Sequence, residues 1–112
     1  MDTHLDNSVR PARLTLAGEM NIYAAAGLKS RLLAPVGDCA ELEIDLSRVA
    51  EIDSAGLQLL ILAKRQALAQ GKTLTLSGHS KPVLELLELY NLAAYFGDPM
   101  VITAADASGG GA

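Results

Sequence analysis

The residues best suited to chemistry lie in one run, Asp53-Ser54-Ala55-Gly56-Leu57. A serine beside an acid at the head of an apolar stretch is either a helix cap or a nucleophile. The nucleophile reading fails on its surroundings. Ile52-Asp53-Ser54-Ala55-Gly56 lacks the leading glycine of a nucleophile elbow, and 112 residues are too few for the fold that carries one. A general base would have to be His4 or His79; His79 sits in a loop segment where a solvated histidine is the ordinary outcome. No Gly-x-x-x-x-Gly-Lys phosphate loop and no clustered set of metal ligands is present. The expected protein is therefore not an enzyme and carries no cofactor or metal. Serine is a favoured N-cap, so Ser54 is expected to cap the helix that follows. Gly56 is expected to leave the first turn open to a close approach.

Composition narrows the class further. The chain has one domain's worth of sequence, and half of its residues are hydrophobic, enough for a single packed core. Cys39 is alone between Asp38 and Ala40, which removes a disulfide framework and reads as a small, buried or half-buried residue before a strand. The net charge of −4, with acids and bases interspersed, speaks against a nucleic-acid surface. Met1-Asp2-Thr3-His4 is not a secretory signal, and no apolar run approaches the roughly 20 residues of a membrane span. A soluble cytoplasmic protein without membrane insertion is the expectation.

Positioning the Ser54 run requires elements on either side of it. Arg13-Leu14-Thr15-Leu16, Glu41-Leu42-Glu43-Ile44-Asp45-Leu46 and Thr73-Leu74-Thr75-Leu76-Ser77 alternate apolar and polar residues and predict strands with one buried face. Ile22 to Leu33 predicts a helix burying Tyr23, Ala26, Leu28, Leu32 and Leu33 and stopping before Pro35. Ser54 to Gln70 predicts the strongest helix, closed by Gly71. Ser80 to Tyr90 predicts a third, capped by Ser80 and burying Val83, Leu86, Leu87 and Tyr90. A short last strand is expected near Met100-Val101-Ile102, and Thr3-His4-Leu5 is a candidate edge strand. The organisation is thus an N-terminal segment (1–11), a domain (12–102) and a disordered tail (103–112) ending in Gly109-Gly110-Gly111-Ala112. The fold class is α/β: about four strands in a mixed, mostly parallel sheet with the helices packed on one face.

Parallel crossovers place each strand's carboxyl end beside the start of the next helix. The loops at Gly18 to Asn21, Glu51 to Ser54 and Gly78 to Ser80 are therefore expected along one edge, where open α/β sheets bind ligands or partners. The expected partner-binding residues are Asn21, Asp53, Ser54, Ala55, Gly56, Leu57, His79 and Ser80. The helix through Leu57-Gln58-Leu59-Leu60-Ile61-Leu62-Ala63 is apolar nearly all round. Either flanking helices cover its sides or part of it is a partner surface.

Ile44-Asp45-Leu46-Ser47-Arg48-Val49 followed by Ile52-Asp53-Ser54-Ala55-Gly56-Leu57 resembles the signature of the STAS domain, the fold of anti-sigma factor antagonists. The resemblance spans roughly Ala12 to Met100. Leu16-Ala17-Gly18-Glu19-Met20 is similar to the family's first strand, and Leu89-Tyr90-Asn91-Leu92 to its last helix. It implies that Ser54 is phosphorylated by an anti-sigma factor that is a serine kinase and dephosphorylated by a phosphatase, the unmodified form binding the kinase. Many members carry an acid directly after the Gly-Glu-apolar triplet, where this chain has Asn21; that departure bears on regulation at Ser54 rather than on the fold.

The leading expectation is phosphorylation-controlled partner switching on such an anti-sigma factor, or on a related chemotaxis or phosphorelay regulator, with Asn21-Ile22-Tyr23 and Tyr95-Phe96-Gly97-Asp98-Pro99 similar to the chemotaxis group. The alternative is a constitutive cytoplasmic STAS subunit of a bacterial lipid-transport ABC complex, which shares the Ile-Asp-Leu-Ser-Arg-Val and Leu-Tyr-Asn-Leu blocks.

Overall fold

Alternating leucines and isoleucines decide which face of the sheet is covered. The computed structural model describes residues 1–90; the expected strand at Met100-Val101-Ile102 and the tail 103–112 lie outside them. In chain order come β1 (Asp2–Asp6), β2 (Ala12–Met20), α1 (Ile22–Asp38), β3 (Glu41–Ile52), α2 (Ser54–Ala69), β4 (Thr73–Ser77) and α3 (Lys81–Leu89). The four strands form one sheet in the order β1-β2-β3-β4. β1 runs antiparallel to β2, whereas β2–β3 and β3–β4 are parallel. The candidate edge strand at Thr3-His4-Leu5 is therefore real.

Leu14, Leu16, Leu42, Ile44, Leu46, Leu74 and Leu76 join Leu28, Leu32 and Val36 of α1, Leu57, Leu60 and Ala63 of α2, and Val83 and Leu87 of α3 in one buried cluster. The helices thus share one face of the sheet. The other face stays polar, with Arg13 paired to Glu43 at 3.5 Å. At roughly 25 cal/mol per Å² of apolar area removed from water, this cluster supplies the main stabilising force. α2 packs against α1 as well as against β3 and β4. Its all-round apolar character is therefore largely packing between helices. Among the described residues no helix is long and apolar enough to cross a membrane.

Several boundaries differ from the sequence reading for identifiable reasons. β2 and β3 run well past their alternating segments. Register shifts between Thr15 and Ala17 and between Gly18 and Glu19 break the period of two, so the alternation ends before the strand does. Helix α1 continues through Pro35 to Asp38. Pro35 and Val36 are both buried, and that packing offsets the lost backbone bond. Tyr23 was expected inside but is 92% exposed, and Ala26 is exposed too. The buried stripe is Leu28, Leu32, Pro35 and Val36, and five residues of helix put Tyr23 about 140° from Leu28. Tyr90, also expected inside, caps the end of α3 half-exposed.

Two glycines are dictated by geometry. Gly71, at φ 69°, follows the C-cap of α2; its N–H donates to the Leu68 carbonyl and that of Lys72 to the Ala67 carbonyl, a Schellman closure. Gly56 is buried, and a Cβ there would lie 2.2 Å from the Met20 carbonyl oxygen. The close approach expected at Gly56 is thus made by β2 itself, not by a partner. Gly56→Ala should destabilise the domain by about 1–3 kcal/mol, at the upper end because the obstacle is backbone. Urea denaturation is the check: an unchanged midpoint would mean that α2 and β2 separate at little cost.

Candidate functional site

Met20 and Ile52 are register partners at the ends of two parallel strands, so the residues that follow them, Asn21 and Asp53, start two helices side by side. Asn21 caps α1: its side-chain oxygen accepts from the N–H groups of Tyr23 at 3.0 Å and Ala24 at 3.1 Å. Asp53 caps α2, with Oδ1 accepting from the Gly56 N–H at 3.1 Å. Its other oxygen, Oδ2, accepts from the N–H of Ile22 at 3.0 Å. One carboxylate therefore holds the first turns of both helices. The Asp53 N–H in turn donates to the Met20 carbonyl at 3.3 Å.

This corrects the role assigned to Ser54 from sequence. Ser54 is the first residue of α2 rather than its cap, because the neighbouring carboxylate has two acceptor oxygens and reaches both helices. Its side chain is exposed. The N–H groups of Ser54 and Ala55 precede the first intrahelical acceptor and find no other among the described residues. The site thus has an exposed hydroxyl at a helix start with free donors beside it, a setting that suits an anion.

The other expected site residues divide. Asn21, Asp53, Ser54 and half-buried Ala55 come together at this edge. Gly56 and Leu57 are buried, Leu57 at 3% exposure, and support the edge from beneath. His79 and Ser80 are not brought to Ser54 by the sheet. Ser77, the end of β4, pairs with Asp45 and Gly78 lies against Ser47, whereas β3 continues to Ile52; at about 3.3 Å per residue the strand runs on for roughly 15 Å beyond Ser47. The reason is unequal strand length, which alternation does not disclose. Ser80 occupies the N-cap of α3 without a side-chain cap bond, and its hydroxyl is buried without a partner among the described residues.

The most exposed residues of this edge, Ile22 and Tyr23, stand outside the expected partner-binding set, although their segment carries part of the family resemblance. Ile22 and Tyr23 are 64% and 92% exposed, and Tyr23 lines an open depression with Met1, Glu19, Asn21 and Ala24. Their offset from the Leu28–Leu32–Val36 stripe was the available signal. Glu19 and Glu51 are cross-strand partners, both exposed. Among the described residues neither has a Lys or Arg partner, and no three His, Cys, Asp or Glu side chains gather as a metal site would need.

The division of labour between Asp53 and Ser54 is directly measurable. Asp53→Ala should cost about 2 kcal/mol, a full cap plus the bond to α1, and should accelerate hydrogen exchange at the Ile22 amide. Ser54→Ala should stay within about 0.5 kcal/mol of wild type. Equal losses from both substitutions would show that the serine shares the capping.

Known proteins resemble the chain in both sequence and fold. The family described as "Mlab, STAS domain" matches residues 3–102. The intermembrane phospholipid transport system binding protein MlaB of Escherichia coli (strain K12) is 47% identical over 51 residues, which are 46% of this chain and 53% of that protein. The chain thus spans about half the length of that relative. The anti-sigma-B factor antagonist of Bacillus subtilis (strain 168) is 29% identical over 80 residues, 71% of this chain and 73% of that protein. The crystal structure of an anti-sigma factor antagonist from Mycobacterium paratuberculosis superposes with a TM-score of 0.78 at 22% identity, covering 89% of this chain and 86% of that one. With a family match over nearly the whole chain and a four-stranded mixed sheet backed by helices on one face, the chain belongs to the STAS domain family.

Proposed function

We propose that the chain is a non-enzymatic docking protein whose partner contacts the Asn21–Tyr23 and Asp53–Ala55 edge, and that a phosphate on Ser54 releases that partner. The observation that carries the reading is the exposed Ser54 hydroxyl beside two free N–H groups, with the capping already performed by Asp53. A phosphoserine adds a charge of about −1.5 to −2 at neutral pH. At an exposed helix start the dipole and free donors offset that charge by roughly 0.3–1 kcal/mol. The Asp53 carboxylate, whose oxygens are each engaged by an N–H, opposes it by a similar amount. The fold therefore tolerates the modification.

Docking does not. A partner closing over Ser54 must strip water from a dianion, and an uncompensated buried charge costs about 3–5 kcal/mol. That corresponds to a loss of roughly a hundred- to several-thousand-fold in affinity. The partner of this reading is an anti-sigma factor with serine-kinase activity or a related chemotaxis regulator, with a phosphatase resetting Ser54; the likeness to an anti-sigma-B factor antagonist supports it.

A second reading is favoured by a different observation. The family description and the 47% identical segment both point to MlaB, which supports a constitutive subunit of a phospholipid-transport complex using the same edge on a transporter ATPase. Asn21, fully engaged as a cap, is compatible with both.

Calorimetric titration against the serine-kinase anti-sigma factor and the lipid-transporter ATPase of the same genome decides between them. For the switch, wild type binds the kinase, while Ser54→Asp and phosphorylated protein bind at least about a hundredfold more weakly with a melting temperature within a few degrees. Equal affinity of all three forms for the ATPase, with none for the kinase, would establish the constitutive subunit instead. Turnover by the purified domain that disappears in Ser54→Ala would overturn both.

A further inference from the structure

We infer that Ile22 and Tyr23, in the first turn of α1, are the apolar anchor of this docking face, and that the partner is a protein offering an apolar cleft rimmed by Lys and Arg. The inference rests on the docking reading above and adds what the partner must look like. Ile22 and Tyr23 are adjacent, 64% and 92% exposed, and turned away from the stripe that α1 buries. An aromatic ring left in water at a helix start contributes nothing to this fold, whereas a tyrosine inserted into a desolvated cleft is a frequent centre of binding energy.

The pair is held at a fixed place relative to Ser54. The Ile22 N–H donates to Asp53 Oδ2, and the next two N–H groups are taken by Asn21. The backbone of the anchor is therefore ordered before binding, and only its side chains remain to be fixed.

Charge identifies the occupant. Glu19 and Glu51 sit opposite each other on β2 and β3, exposed, and like charges directly across a sheet repel. Glu19 lines the same open depression as Tyr23, and the whole chain carries −4. A second copy docking by this face would set glutamates against glutamates. An anionic lipid surface would meet the same repulsion. A cationic rim relieves the Glu19–Glu51 repulsion, and a guanidinium also stacks on a tyrosine ring. Cations paired with the exposed Glu19 and Glu51 stay solvated, which limits what each pair contributes. A phosphate at the centre still loses more by desolvation than it gains from them.

Titration of whichever candidate partner binds the wild type, at about 50 and about 300 mM salt, tests the inference with Tyr23→Ser and Glu51→Gln. Tyr23→Ser should weaken binding at least about tenfold with an unchanged melting temperature. Glu51→Gln should raise the melting temperature slightly by removing the like-charge pair. It should also weaken binding a few-fold and flatten the salt dependence. Gain in stability together with loss of affinity is a combination that a merely structural glutamate does not produce. Wild-type affinity in Tyr23→Ser, or binding that strengthens with salt, overturns the inference. So does Tyr23-dependent binding to vesicles of phosphatidylcholine and phosphatidylglycerol, or a Tyr23-dependent dimer in sedimentation. The two readings fail separately: Tyr23→Ser binding normally while Ser54→Asp does not leaves the switch and removes the anchor, whereas the reverse keeps the anchor and removes the switch. Failure of the wild type to bind either candidate overturns both.

Discussion

The Asp53 carboxylate is the point on which this end of the molecule depends. Two long helices start beside each other because their strands, β2 and β3, are parallel neighbours. Each helix start carries a partial positive charge and N–H groups without intrahelical acceptors. Left alone, the two starts would repel and would need water to satisfy their donors. A single carboxylate places its negative charge between the two starts and accepts one N–H from each helix, while Asn21 takes two more from α1. Gly56 then lets α2 close onto the Met20 carbonyl, a contact that any side chain at that position would block. Because the acid performs the capping, the adjacent serine has no structural duty. Its hydroxyl is exposed, and chemistry there alters the surface without dismantling the helix beneath it.

How far the sequence disclosed this follows from what each signal encodes. Alternation in Glu41 to Leu46 and in Thr73 to Ser77 reports one buried face, so strand existence and the one-sided placement of helices were legible. Strand length was not, since the register shifts near Ala17 and Glu19 scramble the alternation where β2 continues. That single gap displaced His79 and Ser80 from an edge that equal strands would have shared. Helical spacing disclosed the leucines of α1, while Tyr23 entered the apolar set only by residue type. The family signature around Ser54 was legible because backbone demands fix it. Gly56 answers a close approach, and the acid before the serine answers two helix starts. Which of the two adjacent polar residues caps is a matter of reach, and spacing does not contain it.

Relatives named as an anti-sigma-B factor antagonist and as a phospholipid transport system binding protein both share sequence with this chain. Nothing in the Asp53 arrangement requires the serine to be modified. It requires only that the serine be dispensable to the helix. A change at Ser54 therefore leaves the capping by Asp53 and the core beneath it in place.

The strand order repeats the chain order, β1-β2-β3-β4, and this bears on how the molecule assembles. Each strand joins the outer edge of those already made: Ala12 pairs with Leu42 and Glu41 with Thr73. Among the described residues no later strand inserts between two earlier ones, and each loop closure is of moderate length, so its entropic cost is limited. Every parallel crossover among the described residues therefore adds its strand at the open edge, and the pairing partner of each strand precedes it in the chain. The Asp53 junction joins only β2, α1, β3 and α2, so its hydrogen bonds draw on neither β4 nor α3.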